Sequence, residues 1–147
     1  NNPPRPDALY IDMQAPDWYL GELNPGEDVR IPFNAQKDQM CFGYKGNNFH
    51  NYEEYLIEAS NSNGKTPDNS RYLLKHFSDT QAPAVPYYIT LNDGSTSLRL
   101  PNTDKKIFKL NNNGKFCFMP TFQVTTPRKV KHGNYGDVLT YTIISKS

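Results

Sequence analysis

From Ala8 onward the chain alternates apolar and polar residues with a period of two in short runs, the spacing of strands that bury one face and wet the other. The pattern predicts strands from Leu9 to Met13, Val29 to Phe33, Met40 to Tyr44, Tyr55 to Ala59, Arg71 to Phe77 and Tyr87 to Leu91. It continues with Lys106 to Leu110, Lys115 to Phe118, Phe122 to Val124 and Val138 to Ile144. Turn chemistry separates most of them, at Asn24-Pro25-Gly26, Asn63-Gly64, Asn92-Asp93-Gly94, Asn113-Gly114 and His132-Gly133-Asn134. No stretch has the 3.6-residue period of a long amphipathic helix; Asn47 to Glu54 reads equally as a helical turn or a long loop. Many short strands at this spacing predict an all-β chain built as an immunoglobulin-like sandwich.

The length, 147 residues, suits one domain. We place it at residues 8–147, after a linker or loose end at 1–7, where Pro3, Pro4 and Pro6 remove donors and fix φ. Charge narrows the partners. Lys and Arg number 16 against 15 Asp and Glu, with no basic block to track phosphates or anionic lipid, so neither nucleic acid nor a membrane surface is expected. No apolar run approaches the roughly 18 residues of a membrane span, and the N-terminus lacks signal-peptide regions; the expectation is a soluble chain, mature or trimmed. No Asn-x-Ser/Thr sequon occurs despite abundant asparagine, which favours a bacterial periplasmic or surface protein over a eukaryotic secreted one.

Candidate chemistry is sparse. Cys41 and Cys117 lie in apolar runs without CxxC spacing, so no metal site is expected, and the runs suit either a buried free pair or an inter-strand bridge. A bridge would require an oxidising compartment. His50, His76 and His132 fall in separate segments without HxH or HExxH spacing. No GxSxG elbow is present, and the carboxylates Asp12, Asp17, Glu27, Asp28, Glu53, Glu54 and Asp104 mostly flank turns. The basic run Arg128-Lys129-Val130-Lys131 reads as a solvated strand end, and Trp18 as a loop anchor. Tyr52, Tyr55, Tyr87 and Tyr88 suit core packing better than a sugar platform. Neither enzymatic activity nor a cofactor is expected.

The C-terminal region is harder to explain blandly. Gly133-Asn134-Tyr135-Gly136-Asp137 leads into a strand with Leu139, Tyr141 and Ile143 on one face, followed only by Ser145-Lys146-Ser147. This tail resembles the closing strand of chaperone-usher pilus subunits. The likeness extends to the pilin domain of class 5 (CblD-like) fimbrial tip adhesins through Asp38-Gln39-Met40-Cys41-Phe42, Arg71-Tyr72-Leu73-Leu74-Lys75, Tyr87-Tyr88-Ile89-Thr90-Leu91, Cys117 and Phe122-Gln123-Val124. The resemblance implies a sandwich lacking its last strand, with Cys41 bridged to Cys117. Its apolar groove is expected along Tyr135, Val138, Leu139, Tyr141 and Ile143, with the last three facing the core. The implied partners are a periplasmic pilus chaperone, a neighbouring subunit that supplies a donor strand, and an usher. The implied location is the periplasm in transit and then the fimbrium on the cell surface. A self-contained extracellular immunoglobulin-like binding module, with a glycan as a candidate ligand, is the alternative.

Overall fold

The computed structural model describes residues 10–45, 54–109 and 115–146. The 1–7 linker, His50, Tyr52, Glu53 and the tip at Asn111-Asn112-Asn113 lie outside those residues. Alternation produces strands β1 (Tyr10–Gln14), β2 (Asp28–Pro32), β3 (Met40–Lys45), β4 (Glu54–Asn61), β5 (Tyr72–His76) and β6 (Val85–Asn92). After them come β7 (Ser97–Leu100), β8 (Ile107–Lys109), β9 (Lys115–Thr125), β10 (Tyr135–Gly136) and β11 (Leu139–Lys146). Among the described residues the helical content is one 3-10 turn at Gln36–Asp38.

All pairings are antiparallel. The larger sheet runs β1-β3-β9-β6-β5-β10, with β2 also beside β9 and β7 beside β6; the smaller runs β11-β4-β8. Their inner faces meet through alternate apolar residues: Phe116, Phe118, Phe122 and Val124 of β9 and Tyr87, Ile89 and Leu91 of β6 oppose Tyr55 and Ile57 of β4 and Phe108 of β8. The Phe108 ring meets Phe116 and Phe118 edge-on at 5.6 and 6.1 Å. Two layers around one core are the sandwich the alternation predicts, and the all-β class holds.

Three departures have physical reasons. The runs ending at Phe118 and beginning at Phe122 form one strand, β9, that passes through Pro120. Pro120 falls where β9 exchanges one neighbour for another, β3 up to Phe118 and β2 from Thr121, so its missing N–H falls at the end of a ladder, where its carbonyl still accepts the Phe33 N–H at 3.0 Å. Strands β7 and β10 were not anticipated because each is too short to show a period alone. Arg128 to Lys131 lies in a turn and loop, not at a strand end.

Cys41 and Cys117 sit directly opposite in the β3–β9 ladder and are bridged, with Cα atoms 4.1 Å apart. Their neighbours Met40, Phe42, Phe116 and Phe118 point into the core, so the half-buried bridge lies on the outer face of the larger sheet. It staples two strands of one sheet and does not join the layers.

Candidate strand-accepting edge

Strand β11 pairs with β4 along its whole length, from Leu139 opposite Asn61 to Lys146 opposite Glu54. Its other side has no partner strand among the described residues. The backbone parity of that open side follows from one hydrogen bond: the Ser62 N–H donates to the Val138 carbonyl at 3.0 Å, which makes 62 and 138 a hydrogen-bonded pair of the same register. Such pairs alternate along an antiparallel ladder. Thr140, Thr142 and Ile144 therefore direct their backbone groups at β4, and Leu139, Tyr141 and Ile143 direct theirs at the open edge.

The side chains of the same three residues pack against the core, where they are only half buried. Tyr55, Ile57 and Ala59, one strand away, are 1%, 0% and 6% exposed. Burial pushes the Tyr141 phenol above its ordinary pKa, so enough of this face is already dry to disfavour charge. Other half-covered apolar side chains against the core include Trp18 and Leu20 of the irregular N-terminal region and Val29 and Ile31 of β2. Trp18 is anchored by its Nε1–H to the Asp38 carbonyl at 2.9 Å and by its ring against Phe122 at 5.5 Å.

A polar lock sets where β11 begins. The Asp137 carboxylate accepts from Tyr87 Oη at 2.6 Å, Asn61 Nδ2 at 2.8 Å, and Ser62 Oγ and the Asn63 N–H, each at 3.2 Å. Asn63 Nδ2 donates in turn to the carbonyls of Gly136 at 2.7 Å and Leu73 at 3.0 Å. Tyr72 Oη spans the layers to the Ala59 carbonyl at 2.7 Å. Burial, then the Asp137 carboxylate beside it, drives the Tyr87 phenol well above its ordinary pKa. Sequence reading did not single out Asp137; the only available signal was a carboxylate inside the Gly-rich turn before the last strand.

Tyr135 and Val138 stand apart from the open edge. Tyr135 lies in β10, opposite His76 of β5, with its hydroxyl donated to the Lys131 carbonyl at 2.6 Å. Val138 is 66% exposed, on the face opposite Leu139. The Gly133 turn serves a local purpose: its φ is +139°, and a Cβ there would come 2.2 Å from His76 Nε2. His76 Nδ1 accepts the N–H groups of Ser78 and Asp79, so Nε2 carries the proton and donates to the His132 carbonyl at 2.9 Å. Two histidines distant in sequence thus meet, as structural partners. Among the described residues no group of His, Cys, Asp and Glu is placed to hold a metal, and no helix is long and apolar enough to cross a membrane. Tyr55 and Tyr87 are buried, which dissolves the four-tyrosine sugar platform.

No family model and no curated protein matches the sequence. Solved structures do match the fold. A chain of the CsuC-CsuE chaperone–tip adhesion subunit pre-assembly complex from the archaic chaperone-usher Csu pili of Acinetobacter baumannii aligns with a TM-score of 0.51 at 16% identity, over 92% of this chain and 39% of that one. The CupB6 tip adhesin from Pseudomonas aeruginosa aligns with a TM-score of 0.50 at 10% identity, over 94% of this chain and 44% of that one. The chain shares its fold with chaperone-usher pilus adhesin structures. It spans less than half the length of either neighbour.

Proposed function

We propose that this chain is a pilus subunit, or the pilin domain of a fimbrial tip adhesin of the class 5 kind, and that the open side of β11 accepts a β-strand from another polypeptide. The observation that carries the reading is the coincidence at Leu139, Tyr141 and Ile143 of open backbone groups with half-covered, core-facing side chains. One added strand would meet both needs at once: its backbone would bond those N–H and C=O groups, and its alternate side chains would cover the exposed part of the core. Open apolar edges invite pairing, and proteins that retain one use it or cover it. The fold of the solved neighbours supports the assignment.

In this reading a periplasmic chaperone fills the edge first and the neighbouring subunit replaces it at the usher. The chain then resides in a surface fimbrium that serves bacterial attachment. Its work is mechanical and adhesive, without catalysis.

Urea unfolding with and without an alternating apolar peptide of about ten residues tests it. Binding to the folded form alone stabilises by about 2.7 kcal/mol at a hundredfold excess over Kd, and a scrambled peptide should do nothing. A domain that unfolds reversibly at the same urea concentration with either peptide is a self-contained module, and the pilin reading fails.

A further inference from the structure

The outer face of the larger sheet carries a second feature, independent of β11. Tyr88 on β6 points away from the core, and two guanidinium groups converge on its ring. Arg99 of β7 lies 3.7 Å from the ring centroid, and Arg71, just before β5, lies 5.7 Å from it. Both arginines are held in place: Arg99 Nη2 donates to the Ser70 carbonyl at 2.9 Å, and Arg71 Nη1 to Thr125 Oγ1 at 2.7 Å. Tyr88 therefore acts as a strut for cations and does not offer a bare face for stacking.

Beside Arg99 opens a groove of about 380 Å³, inside the range of small-molecule sites, lined by Tyr88, Thr90, Ser97, Arg99, Asp104 and Lys106 among others. Lys106 Nζ reaches across to the Ser97 carbonyl. Among the described residues the ion pairs are Lys105 with Glu58 and Lys131 with Asp79, so Arg99 and Lys106 flank the groove without a paired carboxylate. Arg99 stacks through its face and spends one Nη2 hydrogen on Ser70, which leaves one in-plane edge, Nε with Nη2 or Nη1 with Nη2, with both of its N–H groups unused. That fork matches a carboxylate. The Thr90 and Ser97 hydroxyls make no hydrogen bond within the described fold, and the Asp104 carboxylate is a ready acceptor for ligand hydroxyls.

We propose that this groove binds a carboxylated sugar of the uronic- or sialic-acid type. Arg99 takes the sugar carboxylate with Lys106 as the second cation, while Thr90, Ser97 and Asp104 take ring hydroxyls. A bare anion would leave those hydroxyls and the carboxylate unused, and a neutral sugar would leave the cations unanswered.

Titration calorimetry of the full chain against glucuronic acid and N-acetylneuraminic acid, with glucose and inorganic phosphate as controls, tests the assignment. At least one acid should bind, and both controls should bind at least about tenfold more weakly. Arg99→Met should weaken the acid about tenfold or more, and Arg99→Lys should restore only part, because charge returns without the fork. Arg99 is exposed, so circular dichroism should show both variants folded. Failure of both acids to bind at millimolar concentration overturns the proposal. So does phosphate or glucose binding as well as the acids, or an Arg99→Met variant that binds like the parent.

Discussion

Strands β4 and β11 are neighbours in one sheet and carry the same alternation, yet they differ in how much of it is spent on the core. On β4 the inward Tyr55 lies between β8 and β11, while Ile57 and Ala59 have β11 on one side, take the Asn102 and Tyr72 side chains on their carbonyls, and are covered from the facing sheet. On β11 the inward Leu139, Tyr141 and Ile143 have, among the described residues, a neighbouring strand on one side only, and they stay half covered. Alternation decides which face a residue takes; what arrives beside it, strand, loop or facing sheet, decides how dry that face becomes.

The largest effect expected lies away from both strands. The bridge between Cys41 and Cys117 spans a sequence separation of 76. On the chain-entropy model, replacing both cysteines by Ala should cost about 4 to 5 kcal/mol in urea unfolding. A loss below about 1 kcal/mol would mean that the denatured chain is already compact. Next, Ile57→Ala on β4 should cost about 2 to 5 kcal/mol, as for a fully buried side chain, whereas Ile143→Ala on β11 should fall below that range. Adding the alternating peptide should draw the two values together. If Ile143→Ala already matches Ile57→Ala without peptide, β11 is fully covered and the contrast is false.

Tyr87→Phe sharpens the comparison at the point where β11 is fastened. It removes one charge-assisted donor from Asp137, and the expected loss is about 1.5 to 3 kcal/mol. Because Asn61, Ser62 and Asn63 remain on the carboxylate, the far end of β11 should keep its amide exchange protection while the Asp137 end loses it.

Alkaline titration probes the same region. Burial is the leading cause that raises the phenols of Tyr72, Tyr87 and Tyr141. A folded pKa above the unfolded value near 10 means the stabilisation is complete below that pH and is lost as pH rises past it. Phenolate absorbance should therefore show these tyrosines ionising together with unfolding. The smallest effect is at Asp68, in the turn between β4 and β5. Hydrogen bonds, led by those from Thr66 and Ser70, hold its carboxyl at about 2 against 3.8. Its contribution is present above about pH 4 and lost as pH falls through about 2, and carbon-detected NMR titration of the Asp68 carboxyl reads it directly.

The alternation of Leu139, Tyr141 and Ile143, the turns at Gly26, Gly64 and Gly94, and most strand positions were legible in the chain, since side-chain period and positive φ are local properties. The resemblance supplied the pairing of Cys41 with Cys117, and the ladder places them face to face. Tertiary structure alone decided that Pro120 sits at a change of partner, that Tyr87 reaches Asp137, and that two arginines distant in sequence share the Tyr88 ring. It also decided that, among the described residues, β11 keeps one side open. Local sequence determines the direction in which each side chain points, but burial, hydrogen-bond partners and free edges depend on which remote strands arrive beside it, and no short-range period records that.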